Sequence, residues 1–165
     1  MEIESLVDEY KSWENANEYF TSFDYIGLKC NTEQVYIVSK LFFPDISIIA
    51  DCFLLKDSRQ KFAFKECWNR ATSVYDIEKY INFISIANNI KTEKNNEFLI
   101  TRELTAVLKQ SWELYFSKKH EDLDLIVETY EDEYDGWCIT VYQKESIEKP
   151  KPSLDEFFMY LKKCE

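Results

Sequence analysis

Glycine is nearly absent from this chain: 2 of its 165 residues, Gly27 and Gly136, lie far apart in the sequence. Loops that cradle phosphate need closely spaced glycines, because only a residue without a Cβ lets backbone amides close on the anion. Walker-type and dinucleotide-binding loops are therefore excluded. His120 is the sole histidine, so a metal centre built on two histidines is excluded by count. With Pro at 3, the shortage of both Gly and Pro argues against flexible linkers, collagen-like repeats and disorder. No long hydrophobic run exists either. The most apolar stretch, residues 46–55, is interrupted by Asp51 and is too short to span a bilayer.

Cysteine is present but unorganised. Cys30, Cys52, Cys67, Cys138 and Cys164 are odd in number, widely spaced and form no C-x-x-C pair, unlike a disulfide framework or a zinc site. They read as free thiols in a reducing compartment. The opening Met1-Glu2-Ile3-Glu4 has neither the basic nor the apolar segment of a secretory signal. A cytoplasmic protein is expected.

Positive charge is also short: 20 Lys and Arg stand against 31 Asp and Glu, a net charge of −11. Such a surface repels nucleic acid and anionic membranes, so direct nucleic-acid binding and membrane binding are not expected. A basic protein partner is favoured, since complementary fields speed encounter and suppress wrong pairings. What the chain does have is aromatic mass, 12 Phe, 11 Tyr and 4 Trp, in a length that suits one domain burying about 70% of its unfolded surface.

Ile3, Leu6, Val7, Tyr10, Trp13 and Asn17 recur at helical spacing and predict a helix over residues 3–20. Over 23–64 the apparent period changes to two. Strands are predicted at 23–30, 35–43, 46–55 and 60–64, with turns at 31–33 and 56–59. Ser73 and Asp76 resemble a capping box and open a helix to about residue 90. Residues 88–97 form a polar loop. Thr101 is placed as the cap of a helix to about residue 119, with Lys118, Lys119 and His120 at its negative end. Two β-type runs follow, flanking an acidic turn that ends in Asp135-Gly136. Ser153 and Glu156 mark the start of a last helix carrying Leu154, Phe157, Phe158 and Leu161 on its apolar face. The expected fold is one α+β domain, ordered α-β-β-β-(β)-α-α-β-β-α. An antiparallel sheet, a meander plus a C-terminal hairpin, packs against several helices.

Chemistry is hard to place on this pattern. His120 has no recognisable nucleophile or base partner and reads as a capping or solvent-exposed group. A magnesium nuclease needs an acid-x-Lys triplet, and the segments after Asp51, Asp57 and Glu66 do not supply one. With Gly136 at the sixth position of a calcium loop, the twelfth would be Tyr142, where an EF-hand requires Glu. Asp51 is read either as a solvated residue, paired for example with Lys40, or as a buried carboxylate of raised pKa. No catalytic, cofactor-binding or metal-binding residue is assigned, and no cofactor is expected.

The acidic hairpin remains. Between Lys119 and Lys144 there is no Lys or Arg, and Glu121, Asp122, Asp124, Glu128, Glu131, Asp132, Glu133 and Asp135 are interleaved with Tyr130, Tyr134 and Trp137. Aromatic anchors ringed by charge are hot-spot material for protein recognition. Glu131, Asp132, Glu133, Tyr134, Asp135 and Trp137 are the predicted partner contacts. The function expected is a non-enzymatic inhibitor, most concretely a bacterial immunity protein that neutralises a basic, nuclease-type toxin. The alternatives are a nucleic-acid mimic or adaptor that binds basic partners, and a carboxylate-based enzyme working with or without a metal.

Overall fold

A computed structural model of the chain describes residues 7–56, 66–67, 69–90 and 97–163. In chain order the described elements begin with helices α1 (Asp8–Ala16), α2 (Ser22–Lys29) and α3 (Thr32–Phe42) and strands β1 (Ile46–Ile49) and β2 (Cys52–Leu55). Helix α4 (Val74–Ile81), strand β3 (Ile84–Ser85) and helices α5 (Ile86–Asn89) and α6 (Glu97–Lys119) follow. Strands β4 (Leu125–Asp132) and β5 (Gly136–Gln143), a 3-10 turn (Lys144–Ile147) and helix α7 (Leu154–Lys163) complete the set. The architecture is α+β: an antiparallel β1–β2 pair and an antiparallel sheet ordered β3-β5-β4 pack against the helices.

The segments at 23–30 and 35–43, expected as strands, are helices, and their caps give the physical reason. Asn31 Oδ1 accepts from Gln34 N (2.8 Å), and Gln34 Oε1 accepts from Asn31 N (2.9 Å). Thr21 and Asp24 make the same reciprocal pair at the start of α2. Each box satisfies two backbone donors that a helix start would leave orphaned. The residues at 35–43 are apolar on both alternating sets, so their period-two pattern carried no amphipathic information. The predicted strand at 60–64 and the turn at 56–59 lie largely outside the described residues. So do the first residues of the predicted N-terminal helix, most of the loop at 88–97, and Cys164.

The apolar run at 46–55 folds back on itself as a hairpin. Ile49 pairs with Cys52, leaving Ala50 (φ 48°) and Asp51 (φ 64°) as the two turn residues. Positive φ at both central positions gives the twist that matches a two-residue hairpin. β2 is buried on both faces, as its near-continuous apolarity implies. Cys52 and Leu54 join a cluster with Ile49, Val74 and Ile77. Phe53 and Leu55 join a second with Leu108, Trp112, Phe116, Val127, Ile139 and Val141.

Two polar residues inside this apolar setting connect the sheets. Glu78 and Asn82, one helical turn apart at the end of α4, are fully buried. Glu78 Oε1 accepts from Phe53 N (2.7 Å) and Gln143 Nε2 (2.7 Å), and Oε2 from Gln143 N (2.9 Å). Asn82 Oδ1 accepts from Leu55 N (2.8 Å), while its Nδ2 faces the carbonyls of Phe53 and Val141 at 2.7 Å each. The pair stands where a further strand would run, pairing the backbone of β2 on one side and β5 on the other. Buried backbone groups require such partners.

This junction also ends α4 early. The helix predicted to reach about residue 90 stops at Ile81, because Asn82 is held by both strands and Ile84 and Ser85 pair with Ile139 and Cys138. Helix α6 begins at Glu97 rather than at Thr101. Thr101 does not cap it; its hydroxyl donates back to Glu97 O (2.9 Å) and Phe98 O (3.1 Å), a common mid-helix use of threonine. Trp112 Nε1 and Ser111 Oγ donate to Leu41 O (2.8 Å) and Phe42 O (3.0 Å), covering carbonyls that the end of α3 leaves open. The Ser153–Glu156 box forms as expected, with Ser153 N to Glu156 Oε2 at 2.7 Å and Glu156 N to Ser153 Oγ at 3.2 Å.

Candidate functional site

The β4–β5 hairpin forms as predicted. Asp132 pairs with Gly136, leaving Glu133, Tyr134 and Asp135 as the loop, and Gly136 takes φ 67°, a conformation few L side chains adopt. Asp132 Oδ1 accepts from Tyr134 N (2.9 Å) and Asp135 N (3.0 Å). Aspartate favours such turns because its short side chain replaces a backbone acceptor. Asp135 is anchored below the loop: its carbonyl accepts from Ser85 Oγ (2.7 Å) and its Oδ1 from Asn88 Nδ2 (2.6 Å). The tip is thus tied to the β3–α5 connection on the neighbouring edge.

The six predicted contact residues divide by exposure. Glu131, Glu133 and Tyr134 face solvent, Tyr134 at 88% exposure. Asp132 and Asp135 are half-buried and hold the loop in shape. Trp137 turns back toward α6, its ring 6.1 Å from Phe98 and its indole Nε1 buried with no hydrogen-bond partner.

Beside the tip, α4 and β4 enclose a recess of about 340 Å³ lined by Asp76, Lys79, Tyr80, Phe83, Tyr130 and Asp135. Phe83 and Tyr130 lie 6.4 Å apart, ring to ring. Lys79 Nζ bonds Glu128 Oε2 (2.9 Å) and Tyr75 Oη (3.0 Å) and stands 5.5 Å from the rings of both Tyr75 and Tyr130. Burial works against the Lys79 ammonium, but the bonds it donates to Tyr75 and Glu128 outweigh it and raise its pKa. Its charge is therefore internally matched. Asp76 accepts from Thr72 N (2.8 Å), Thr72 Oγ1 (2.7 Å) and Ser73 N (3.0 Å). The Thr72 bonds hold its carboxyl below the usual range. The rings of Tyr80, Phe83 and Tyr130 and the carboxyl groups of Asp76 and Asp135 line this recess together with the matched Lys79, and such a lining can take a guanidinium or ammonium group through cation–π attraction and charge-assisted hydrogen bonds.

Other residues singled out from the sequence play structural parts. The ring of His120 is neither free in solvent nor paired with an acid. It packs 5.3 Å from Phe53 and 6.3 Å from Phe116, and burial and Lys119 lower its pKa. Asp51 is exposed in the β1–β2 turn, and Lys40 pairs instead with Asp45 at 3.1 Å. The buried carboxylate of raised pKa is Glu78, where burial outweighs the bonds from Phe53, Gln143 and Ser146. Among the described residues, no group of three or more His, Cys, Asp or Glu side chains is arranged to hold a metal ion. No described helix is long and apolar enough to cross a membrane. Cys52, Cys67 and Cys138 are free and buried, and Cys30 is free and exposed.

Sequence reasoning missed the recess and the sheet junction. The signal for Glu78 and Asn82 was two polar residues one turn apart among Val74, Ile77 and Ile81. The recess left no linear signal, because Tyr80 and Phe83 meet Tyr130 only through the packing of α4 on the hairpin. Comparison of the chain with protein families, curated proteins and solved structures finds no match.

Proposed function

We propose that this protein is a non-enzymatic inhibitor that binds a basic protein, most concretely an immunity protein that neutralises a basic, nuclease-type bacterial toxin. The observation that supports this reading is the recess between α4 and β4, lined by Tyr80, Phe83, Tyr130, Asp76 and Asp135 around Lys79, set beside a tip that presents Glu131, Glu133 and Tyr134. A lysine or arginine of the partner enters the recess, while Tyr134 lies flat on the partner's surface between two carboxylates. Tyrosine is suited to this role because it brings large contact area at low conformational entropy. The Asp132 and Asp135 hydrogen bonds hold the loop in one conformation beforehand, which lowers the ordering cost of association. The overall charge of −11 steers a basic partner toward the surface and speeds capture.

The test is affinity capture from lysate of the source cell on immobilised full-length chain, washed at low and at high salt, with bound protein identified by mass spectrometry. Capture of a basic protein whose nuclease activity is titrated away by an equimolar amount of this chain is expected. The triple variant Glu131→Lys/Glu133→Lys/Tyr134→Ala should lose the captured protein and the inhibition together, while keeping the wild-type circular dichroism. Equal capture by the triple variant overturns the site, and a captured protein that is acidic or uninhibited overturns the function.

A further inference from the structure

Helix α3 is apolar where it should be covered. Val35, Tyr36, Ile37 and Val38 are consecutive, so they point in all directions around one turn, and they are 46%, 64%, 68% and 53% exposed. No residue of α2 or α3 is buried. Contact with the rest of the chain is concentrated at the end of α3, where Leu41 and Phe42 meet Trp112 and Ser111. A helix apolar all round is normally enclosed. Phe23 (83%) and Leu28 (60%) on α2 are likewise exposed.

Charge separates this surface from the acidic tip. Within a chain of net −11, α2 carries one acid and one base, Asp24 and Lys29, and α3 likewise, Glu33 and Lys40. A neutral apolar arm offers nothing to a strongly basic partner and meets no repulsion from its own copy. The order along α3 is also self-complementary. Glu33, Tyr36, Ile37 and Lys40 recur at i, i+3, i+4 and i+7, on one face of the helix. Glu33 and Lys40 lie at equal distances on either side of the Tyr36–Ile37 step. A second copy crossing antiparallel about a two-fold axis at that step sets Tyr36 against Ile37 and Glu33 against Lys40 in both directions. An isologous interface has this form, since one patch must complement itself.

We propose that the chain forms a two-fold dimer through antiparallel packing of α3 against α3 of a second copy. Lys40 already lies 3.1 Å from Asp45 and 5.9 Å from the centre of the Tyr36 ring. Both members of the Lys40–Asp45 pair are about half exposed, so that surface pair holds Lys40 only weakly. In the dimer Lys40 is shared between Asp45 and Glu33 of the second copy. The surface is separate from the hairpin tip, so the dimer and the inhibitor function stand or fall apart from each other.

Sedimentation velocity of the full chain over a concentration series tests the dimer. The wild type is expected to move from 19.8 kDa to twice that mass as concentration rises. Ile37→Glu, at an exposed position, should remain monomeric with unchanged circular dichroism. Glu33→Lys should weaken the dimer about tenfold or more, because it opposes Lys40 twice across the axis. The exchange variant Glu33→Lys/Lys40→Glu should restore most of that loss. A wild type that stays monomeric, including one whose arm proves to bind a different protein, overturns the proposal. A dimer that survives Ile37→Glu overturns the surface. An exchange variant no better than Glu33→Lys overturns the antiparallel register.

Discussion

Removing the carboxylate of Glu78 should be among the most damaging single changes this protein can suffer. In Glu78→Ala, two buried donors, Phe53 N and Gln143 N, lose their acceptor, and Gln143 Nε2 keeps only the Asp51 carbonyl. Each stranded donor costs about 1–3 kcal/mol, so the expected loss is about 2–6 kcal/mol against a total of roughly 5–15 kcal/mol for a domain. The change also separates β2 from β5 on one side of the junction, leaving Asn82 to hold both strands. Urea unfolding followed by tryptophan fluorescence and by far-UV circular dichroism reads the effect. The midpoint should fall sharply with little change in slope.

The same residue has a pH signature. Burial raises the Glu78 pKa above its ordinary 4.5. In the unfolded chain the group titrates at about 4.3. Between the two values the native state keeps a proton that the unfolded state has released. This contribution to stability is therefore full below the unfolded pKa and is lost as pH rises through the folded one. Glu78→Gln keeps the shape, loses one acceptor and does not titrate. Its deficit relative to wild type should be largest in acid and narrow as pH rises. A Glu78→Ala loss below about 1 kcal/mol would refute the bridging role, and a Glu78→Gln deficit that widens with pH would refute the titration argument.

Ala50 occupies a positive φ of 48°, so Ala50→Gly should stabilise the chain by about 0.5–1 kcal/mol, read as a small rise in melting temperature. Gly136→Ala should do the reverse by about 1 kcal/mol: the new Cβ would sit at an ordinary 3.6 Å from Ala87 Cβ, so the cost is torsional rather than steric. Burial pushes the Cys52 thiol up to about 12 and those of Cys67 and Cys138 up to about 11. Thiol labelling of the folded protein, mapped by peptide mass spectrometry, should modify Cys30 and spare these three; fast labelling of Cys52 would contradict its burial. Trp112→Phe keeps an aromatic ring but strands the Leu41 carbonyl. A loss of about 1–3 kcal/mol is expected, with faster hydrogen exchange at the end of α3.

The sequence was most legible where signals are local and chemically redundant. The β4–β5 hairpin shows alternating apolar residues, an Asp-Gly at its end and an acidic turn, and these agree with one another. The Ser73–Asp76 and Ser153–Glu156 boxes announce α4 and α7 because a cap is made within four residues. The equivalent boxes at Thr21–Asp24 and Asn31–Gln34 carried the same information. A satisfied helix start is stronger evidence than the strand propensity of Val35, Ile37 and Val38 in α3. The exposed half of the candidate site, Glu131, Glu133 and Tyr134, could be read from the chain because a hairpin tip is defined by its own turn.

By itself, then, the order of residues determined an acidic α+β chain with free thiols, no phosphate loop, two strong helix starts and a C-terminal acidic hairpin. Each of these depends on composition or on contacts a few residues apart. Tertiary structure alone decided that Glu78 and Asn82 stand in for a strand between β2 and β5. Only packing turned Trp137 inward to Phe98, gathered Tyr80, Phe83 and Tyr130 around a recess, and left α3 uncovered. Those outcomes join residues tens of positions apart. A linear pattern records which side chains are apolar or charged, but not which distant backbone groups will be left needing a partner.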